Sequence, residues 1–299
     1  MRYRFYTCDV FTDSRFGGNP LAVLPDASGL TTEQMQLIAR EFNYSESTFV
    51  LPAQHGHTRQ VRIFTTDQEV PFAGHPNVGT AFVLATIGEL GDFATTTEIT
   101  FEEKAGLVPI TIRREPEQPL WCELKAPEPL SLGQTFPVEA LAAVLSLTPN
   151  DIVEQTHAPQ IASVGLPFVI TELKDRAALA KARINHEALS AIDLQGLLPF
   201  FHIYSKSSGD FDLYTRMFAA VSGATFEDPA TGSANCALVG MLTHYAPQEN
   251  GRFSYRIAQG VEMGRPSVLN GRCEKQDNTV TAVYMAGTSV LVSEGYIHV

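Results

Sequence analysis

The chain has 299 residues, 44% of them hydrophobic and 18% charged, with a mean hydropathy of −0.02 and a formal net charge of −12. That length suits one large domain or two ordinary ones, each with its own core. The acidic balance argues against nucleic acid as a partner, because binding phosphate needs a basic footprint, whereas one local site can still take a small anion.

Residues 1–18, MRYRFYTCDVFTDSRFGG, interleave charged and aromatic residues without the apolar stretch of a signal peptide. No apolar run approaches the ~18 residues of a membrane span, so a cytoplasmic protein with no membrane partner is expected. YRFYTCDVF (3–11) and PLAVLP (20–25) read as strands parted by Gly17-Gly18-Asn19. A helix is predicted over 32–43: Thr31 and Gln34 form a capping-box pattern, and Met35, Ile38, Ala39 and Phe42 share one face. Strands follow at 47–51 and 59–66, a second helix at 76–87, and a hairpin at 97–115 around Lys104-Ala105-Gly106. The stretch 115–137 is rich in proline and contains the strand LWCELKA. Beyond it the order recurs: a helix (138–147), strands (161–171), two short helices (175–195), strands (200–206 and 211–219) and a helix (233–245). FSYRIAQG, SVLNGRCEK, TVTAVYMAG and TSVLVSEGYIHV close the chain as strands. Strands outnumber helices and are hairpin-linked, which favours α+β with mostly antiparallel sheets over a doubly wound fold.

Pro71-Phe72-Ala73-Gly74-His75-Pro76-Asn77 and Pro229-Ala230-Thr231-Gly232-Ser233-Ala234-Asn235 both read P-x-x-G-x-x-N. Each precedes an apolar helix, VGTAFVLA or CALVGML, and follows Arg-apolar-Phe at a strand end, Arg62-Ile63-Phe64 or Arg216-Met217-Phe218. This suggests internal duplication, although Pro and Gly also recur before unrelated helices. Two related halves would bring two glycine-rich helix starts to a cleft, where unpaired N–H groups and a partial positive charge could hold a carboxylate.

Glu46, in FNYSESTFV, enters an apolar strand, where desolvation suits a general acid/base; the segment alone leaves a plain surface carboxylate open. His75 reads as a functional imidazole or as a simple helix cap, and Asp228 as a site carboxylate or a charge that complements a helix dipole. Cys8, Cys122, Cys236 and Cys273 form no C-x-x-C pair, so neither disulfides nor zinc are expected. Without G-x-G-x-x-G, P-loop or G-x-S-x-G motifs, no nucleotide cofactor and no serine-hydrolase chemistry are expected.

Together DVFTDSRFGGNPLAVLP, FNYSESTFV, VPFAGHPNVGTAFVL, FEDPATGSAN and QGVEMGRPS resemble the PhzF family of phenazine-biosynthesis-like isomerases, in the family's order and spacing. The resemblance implies a diaminopimelate epimerase-like α+β fold with two pseudo-symmetric halves, each a curved, mostly antiparallel sheet around a central helix. The halves are expected at 1–127, rejoined by 288–299, and at 128–287. It further implies that Glu46 is the acid/base, that His75 and Asp228 hold the substrate and route the proton, and that Gly74, Gly232 and Ser233 bind its carboxylate. Epimerases of this fold use two cysteines at the helix mouths; Ala73 and Thr231 stand in those turns here, which disfavours two-thiol racemisation. The expected function is a cofactor-independent isomerase that moves a proton on a small cyclic or amino carboxylate. An amino-acid epimerase or racemase and a non-catalytic small-molecule binding protein are the alternatives. Exposed antiparallel edges lead to an expected homodimer.

Overall fold

The computed structural model describes residues 1–221 and 223–299, which divide into an N-terminal unit, Met1–Pro127 with Met285–Val299, and a C-terminal unit, Glu128–Tyr284. Among the described residues, no helix is long and apolar enough to cross a membrane.

In the N-terminal unit, β1 (Arg2–Val10) pairs antiparallel with β2 (Asn19–Leu24). Helix α1 (Thr32–Phe42) then crosses to β3 (Glu46–Leu51), which lies parallel to β2 with Leu21 opposite Glu46. The start of α1 is fixed by reciprocal capping: Gln34 N–H donates to Thr31 Oγ1, and Thr31 N–H donates to Gln34 Oε1. Its end is set by Asn43, whose φ of 54° turns the chain towards β3. The chain continues through β4 (Arg59–Phe64), β5 (Glu69–Val70), α2 (Gly74–Thr86), β6 (Thr96–Glu103), β7 (Gly106–Arg113) and β8 (Trp121–Lys125). Every residue of α2 from Gly74 to Ala85 is buried, as its nearly chargeless sequence allows. Gly79 is where strands press on this helix: a Cβ there would meet Leu21 Cδ2 and Val10 Cγ2 at 2.6 Å.

The C-terminal unit begins with β9 (Ser131–Thr135) and α3 (Val138–Val144), followed by β10 (Gln160–Ser163), β11 (Pro167–Leu173), α4 (Arg176–Lys181) and α5 (His186–Ser190). Next come β12 (Phe200–Lys206), β13 (Leu213–Val221), β14 (Ala224–Asp228) and α6 (Gly232–Tyr245). It closes with β15 (Gly251–Gln259), β16 (Ser267–Gln276) and the start of β17 (Thr279–His298). From Ser289 to His298, β17 pairs antiparallel with β1 of the N-terminal unit's own sheet. Helix α6 is buried from Gly232 to Thr243.

The two units repeat one topology. β1–β2–α1–β3–β4–β5–α2–β6–β7 and β10–β11–α4–α5–β12–β13–β14–α6–β15–β16 match pairing by pairing, including the parallel contacts β2–β3 and β4–β6 against β11–β12 and β13–β15. Side chains repeat as well. Arg62 grips Glu69 with Nε and Nη2 and lies over Phe64; Arg216 grips Glu227 in the same way and lies over Phe218. The asparagine that ends each P-x-x-G-x-x-N segment donates its amide to the residue before the helix: Asn77 to Ala73 O at 3.0 Å, Asn235 to Thr231 O at 2.9 Å.

Three strands lie where the sequence pattern gave no strand. β5 has two residues, too few for a period of two to register; β9 is half-polar; and β14 exposes most of its length. Residues 161–171 form two strands that turn at Gly165, whose φ is 133°. The segments TVTAVYMAG and TSVLVSEGYIHV join into one twenty-residue strand, β17.

Candidate active site

In the N-terminal unit, three element starts converge. Asn19 opens β2, Glu46 opens β3 and His75 is the second residue of α2. Because β2 and β3 are parallel with Leu21 opposite Glu46, both strands begin at the same end of the sheet. The Thr48 and Thr80 hydroxyls, 2.8 Å apart and buried, tie β3 to α2. Glu46 Oε2 is 3.6 Å from His75 Nδ1, and Asn19 Nδ2 is 3.3 Å from the same nitrogen. The Glu46 side chain is 20% exposed, whereas that of His75 is only 4% exposed; the carboxylate is the open member of the pair.

Burial pushes His75 down from 6.5 to about 3, against a hydrogen bond with the Pro20 backbone that favours the charged ring. At neutral pH the imidazole is therefore uncharged, and it meets Glu46 as a polar neighbour rather than a cation. Its Nε2 is buried without a partner, beside a helix start whose N-cap, Ala73, has no side chain to close it. A ring whose folded pKa is depressed stabilises the fold above its ordinary value and loses that contribution as pH falls from 6.5 towards 3. Nitrogen-15 NMR should accordingly find His75 neutral at pH ~5, where a free imidazole is mostly protonated. An imidazolium there would refute its burial.

In the C-terminal unit, Asp228 ends β14 and is buried, and Thr231 Oγ1 donates to its Oδ2. Thr231 Oγ1 itself accepts from Gln259 Nε2 rather than from an N–H of the helix, so the start of α6, with Gly232 and the buried Ser233, also lacks a side-chain cap. Glu227, the neighbour in β14, points to Arg216 instead. Gln259, at the end of β15, organises the turn. Its Oε1 accepts from Thr231 N–H at 3.1 Å and Asn235 Nδ2 at 2.7 Å; its Nε2 donates to Asp228 O at 2.8 Å and Thr231 Oγ1 at 3.0 Å. Gly260 follows with φ 71°, and any Cβ there would lie 2.6 Å from Pro229 O. Gln259→Leu removes all four of these hydrogen bonds from a buried turn, and should cost on the order of 3 kcal/mol in urea unfolding. A cost below ~1 kcal/mol would mean that the turn holds itself.

Glu46, His75 and Gly74 thus stand together in one unit, and Asp228, Gly232 and Ser233 in the other. Asn19 and Gln259 escaped the sequence reading. Both lay inside quoted motifs, NPLAVLP and QGVEMGRPS, but nothing in periodicity distinguishes a polar residue at a strand end from a turn residue. The four cysteines are buried; desolvation pushes the Cys122 thiol up to about 12 and raises Cys8 and Cys236 further. None occupies a helix N-cap, where Ala73 and Thr231 stand.

Residues 8–295 match the PhzC-PhzF family model, described as phenazine biosynthesis-like protein. The chain is 34% identical, over 98% of both sequences, to the trans-2,3-dihydro-3-hydroxyanthranilate isomerase of Pseudomonas aeruginosa. The crystal structure of a Bacillus anthracis phenazine biosynthesis protein of the PhzF family superposes with a TM-score of 0.89 at 24% identity, covering 100% of both chains. A hydroxyproline epimerase from Agrobacterium vitis shares the fold at a TM-score of 0.68 and 12% identity, over 99% of this chain and 92% of its own. The duplicated α+β architecture is the one common to PhzF proteins and these epimerases, and with a family match across nearly its whole length the chain belongs to the phenazine biosynthesis-like PhzC-PhzF family and is an isomerase.

Proposed function

We propose that the chain moves a proton between two carbons of a small cyclic or amino carboxylate, with Glu46 as the group that carries it. The observation behind this is the pairing of a partly exposed carboxylate with a buried, uncharged imidazole 3.6 Å away. The Glu46 carboxylate takes a proton from a C–H next to an unsaturated or carbonyl-type group, and the electron pair left behind delocalises into that group. Glu46 then returns the proton to a different carbon, so the enzyme ends as it began and no redox partner is consumed. His75 and Asp228 orient polar groups of the substrate, and the uncapped helix starts at Gly74 and at Gly232–Ser233 favour its carboxylate through their N–H groups and dipoles. The absence of cysteine from both N-caps speaks for one-base transfer over two-thiol racemisation.

The test is incubation with trans-2,3-dihydro-3-hydroxyanthranilate, the compound named for the P. aeruginosa relative, in deuterium oxide. Solvent deuterium entering at ring carbon is the expected result. A panel of related cyclic and amino carboxylates extends the assay. Failure to exchange any of them while they bind would favour a binding protein on this fold.

A further inference from the structure

The two repeats place different residues at one matched position. In β4 and β13, Phe64 and Phe218 stand opposite Glu69 and Glu227, the partners of the two arginines. Four residues earlier, Gln60 lies opposite Glu102 of β6, and Tyr214 lies opposite Ala258 of β15. The next residue is Glu103 in one repeat and Gln259 in the other. Gln259 is the amide that secures the start of α6 through Thr231 and Asn235. Glu103 occupies the equivalent place beside Asn77, in the first turn of α2.

Glu103 is bonded quite differently from its counterpart. Both carboxyl oxygens are sealed from water without a hydrogen bond, and the Asn77 amide approaches them without reaching hydrogen-bond geometry. Asn77 Oδ1 is also buried and lacks a donor, whereas the matching Asn235 Oδ1 has His202 Nε2 at 3.2 Å. The neighbouring charges are committed elsewhere. Lys104 and Arg62 both hold Glu69 of β5, and Glu102 accepts the N–H groups of Gln54, His55 and His57. On β7 the residue opposite Glu103 is Gly106, and on α2 the titratable group is the uncharged His75. A bare carboxylate in such a place is strongly disfavoured. A carboxylic acid has nearly the shape of an amide, with one accepting oxygen and one donating hydrogen.

We propose that Glu103 is a positioning residue that works as a neutral carboxylic acid, securing the Gly74–Asn77 start of α2 as the Gln259 amide secures the start of α6. It thereby steadies the turn that carries His75. The consequence for turnover rests on the function proposed above; the proton on Glu103 does not.

Burial raises Glu103 from the ordinary 4.5 to about 8, so the folded protein keeps a proton that the unfolded chain releases. The stability linked to that proton is complete below pH 4.5 and is lost as pH rises through about 8. Infrared difference spectra of the wild-type protein should show the carbonyl stretch of a protonated carboxylic acid, shifted in deuterium oxide and bleached as pH passes about 8. In Glu103→Gln that band should vanish. The folding constant of the wild type should fall by up to about tenfold per pH unit between these limits relative to Glu103→Gln. With dihydro-hydroxyanthranilate as probe, KM of the wild type should rise on the alkaline side and that of Glu103→Gln should not. Absence of the acid band from the wild type, or equal pH slopes of stability in the two proteins, overturns the neutral acid. A KM that rises equally in both overturns the positioning role. If no turnover is found at all, the proposed function fails, and the band and the stability slopes still decide the state of Glu103.

Discussion

Glu46→Gln should lower the exchange of substrate carbon-bound hydrogen with solvent by ~10²–10⁴-fold, the range typical of a single acid/base group. Glutamine keeps the shape and the polar contacts of the side chain but cannot hold a transferred proton. Because Glu46 is the open member of its pair, at 20% exposure beside a His75 that is 4% exposed, the change should leave folding and carboxylate binding intact. The effect should thus fall on kcat more than on KM. His75 is a poor substitute base: with a pKa pushed down to about 3, its neutral ring has little affinity for a proton at neutral pH. His75→Ala should accordingly weaken binding as well as turnover, through loss of an oriented polar group at the α2 start. Deuterium exchange at the wild-type rate in Glu46→Gln would remove Glu46 from the mechanism and pass the role of base to Asp228.

The site was legible where local sequence dictates local geometry. A Pro-x-x-Gly-x-x-Asn segment before an apolar run marks a helix start, and both starts lie at Gly74 and Gly232, within two residues of expectation. The start of α1 was equally readable, because a capping box is a contact between residues three apart. Glu46 stood out as a carboxylate entering an apolar strand. What stayed hidden depends on register. Asn19 meets His75 across 56 residues of chain, and Gln259 meets Thr231 across 28. Such contacts exist only after strands have paired, and no local pattern encodes the partner. The same holds for Glu103: in sequence it is one of two adjacent glutamates before a Lys-Ala-Gly turn, and only the pairing of β4 with β6 matches it to Gln259.

The repeat shows the converse limit. Arg62-Ile63-Phe64 and Arg216-Met217-Phe218 were recognisable as a recurring pattern, yet the sequence says nothing of their partners, Glu69 and Glu227, which arrive from strands that were not anticipated. β14 in particular exposes most of its residues, so it lacks the alternation that reveals a half-buried strand. Its existence is decided by the arginine that receives Glu227 and by the pairing with β13.

That arginine carries the second large expectation: Arg216→Met should cost ~3–5 kcal/mol in urea unfolding, the loss typical of breaking a buried ion pair from one side. Arg216 is 3% exposed. Its Nε and Nη2 donate to Glu227 Oε1 and Oε2 at 2.7 and 2.8 Å. Its Nη1 serves the carbonyls of Leu179, Ala180 and Ala182 at 2.8, 3.3 and 3.1 Å, at the end of α4, where a cation also suits the helix dipole. Methionine fills much of the volume but takes from the Glu227 carboxylate its two-pronged donor and removes one donor from each of three carbonyls, of which those of Ala180 and Ala182 still accept from Arg183 Nη1. Arg62→Met should cost less, ~1–2 kcal/mol, because Arg62 is 20% exposed and Glu69 retains Lys104. Adding Glu227→Met to Arg216→Met should restore part of the loss, since the orphaned charge goes with it. The damage should also reach the site: β14 carries Glu227 and Asp228 side by side, so a loosened Glu227 lets Asp228 shift against Thr231, and KM should rise at temperatures where the variant is still folded. Equal costs for Arg216→Met and Arg62→Met would mean that burial of the ion pair is not what separates the two repeats.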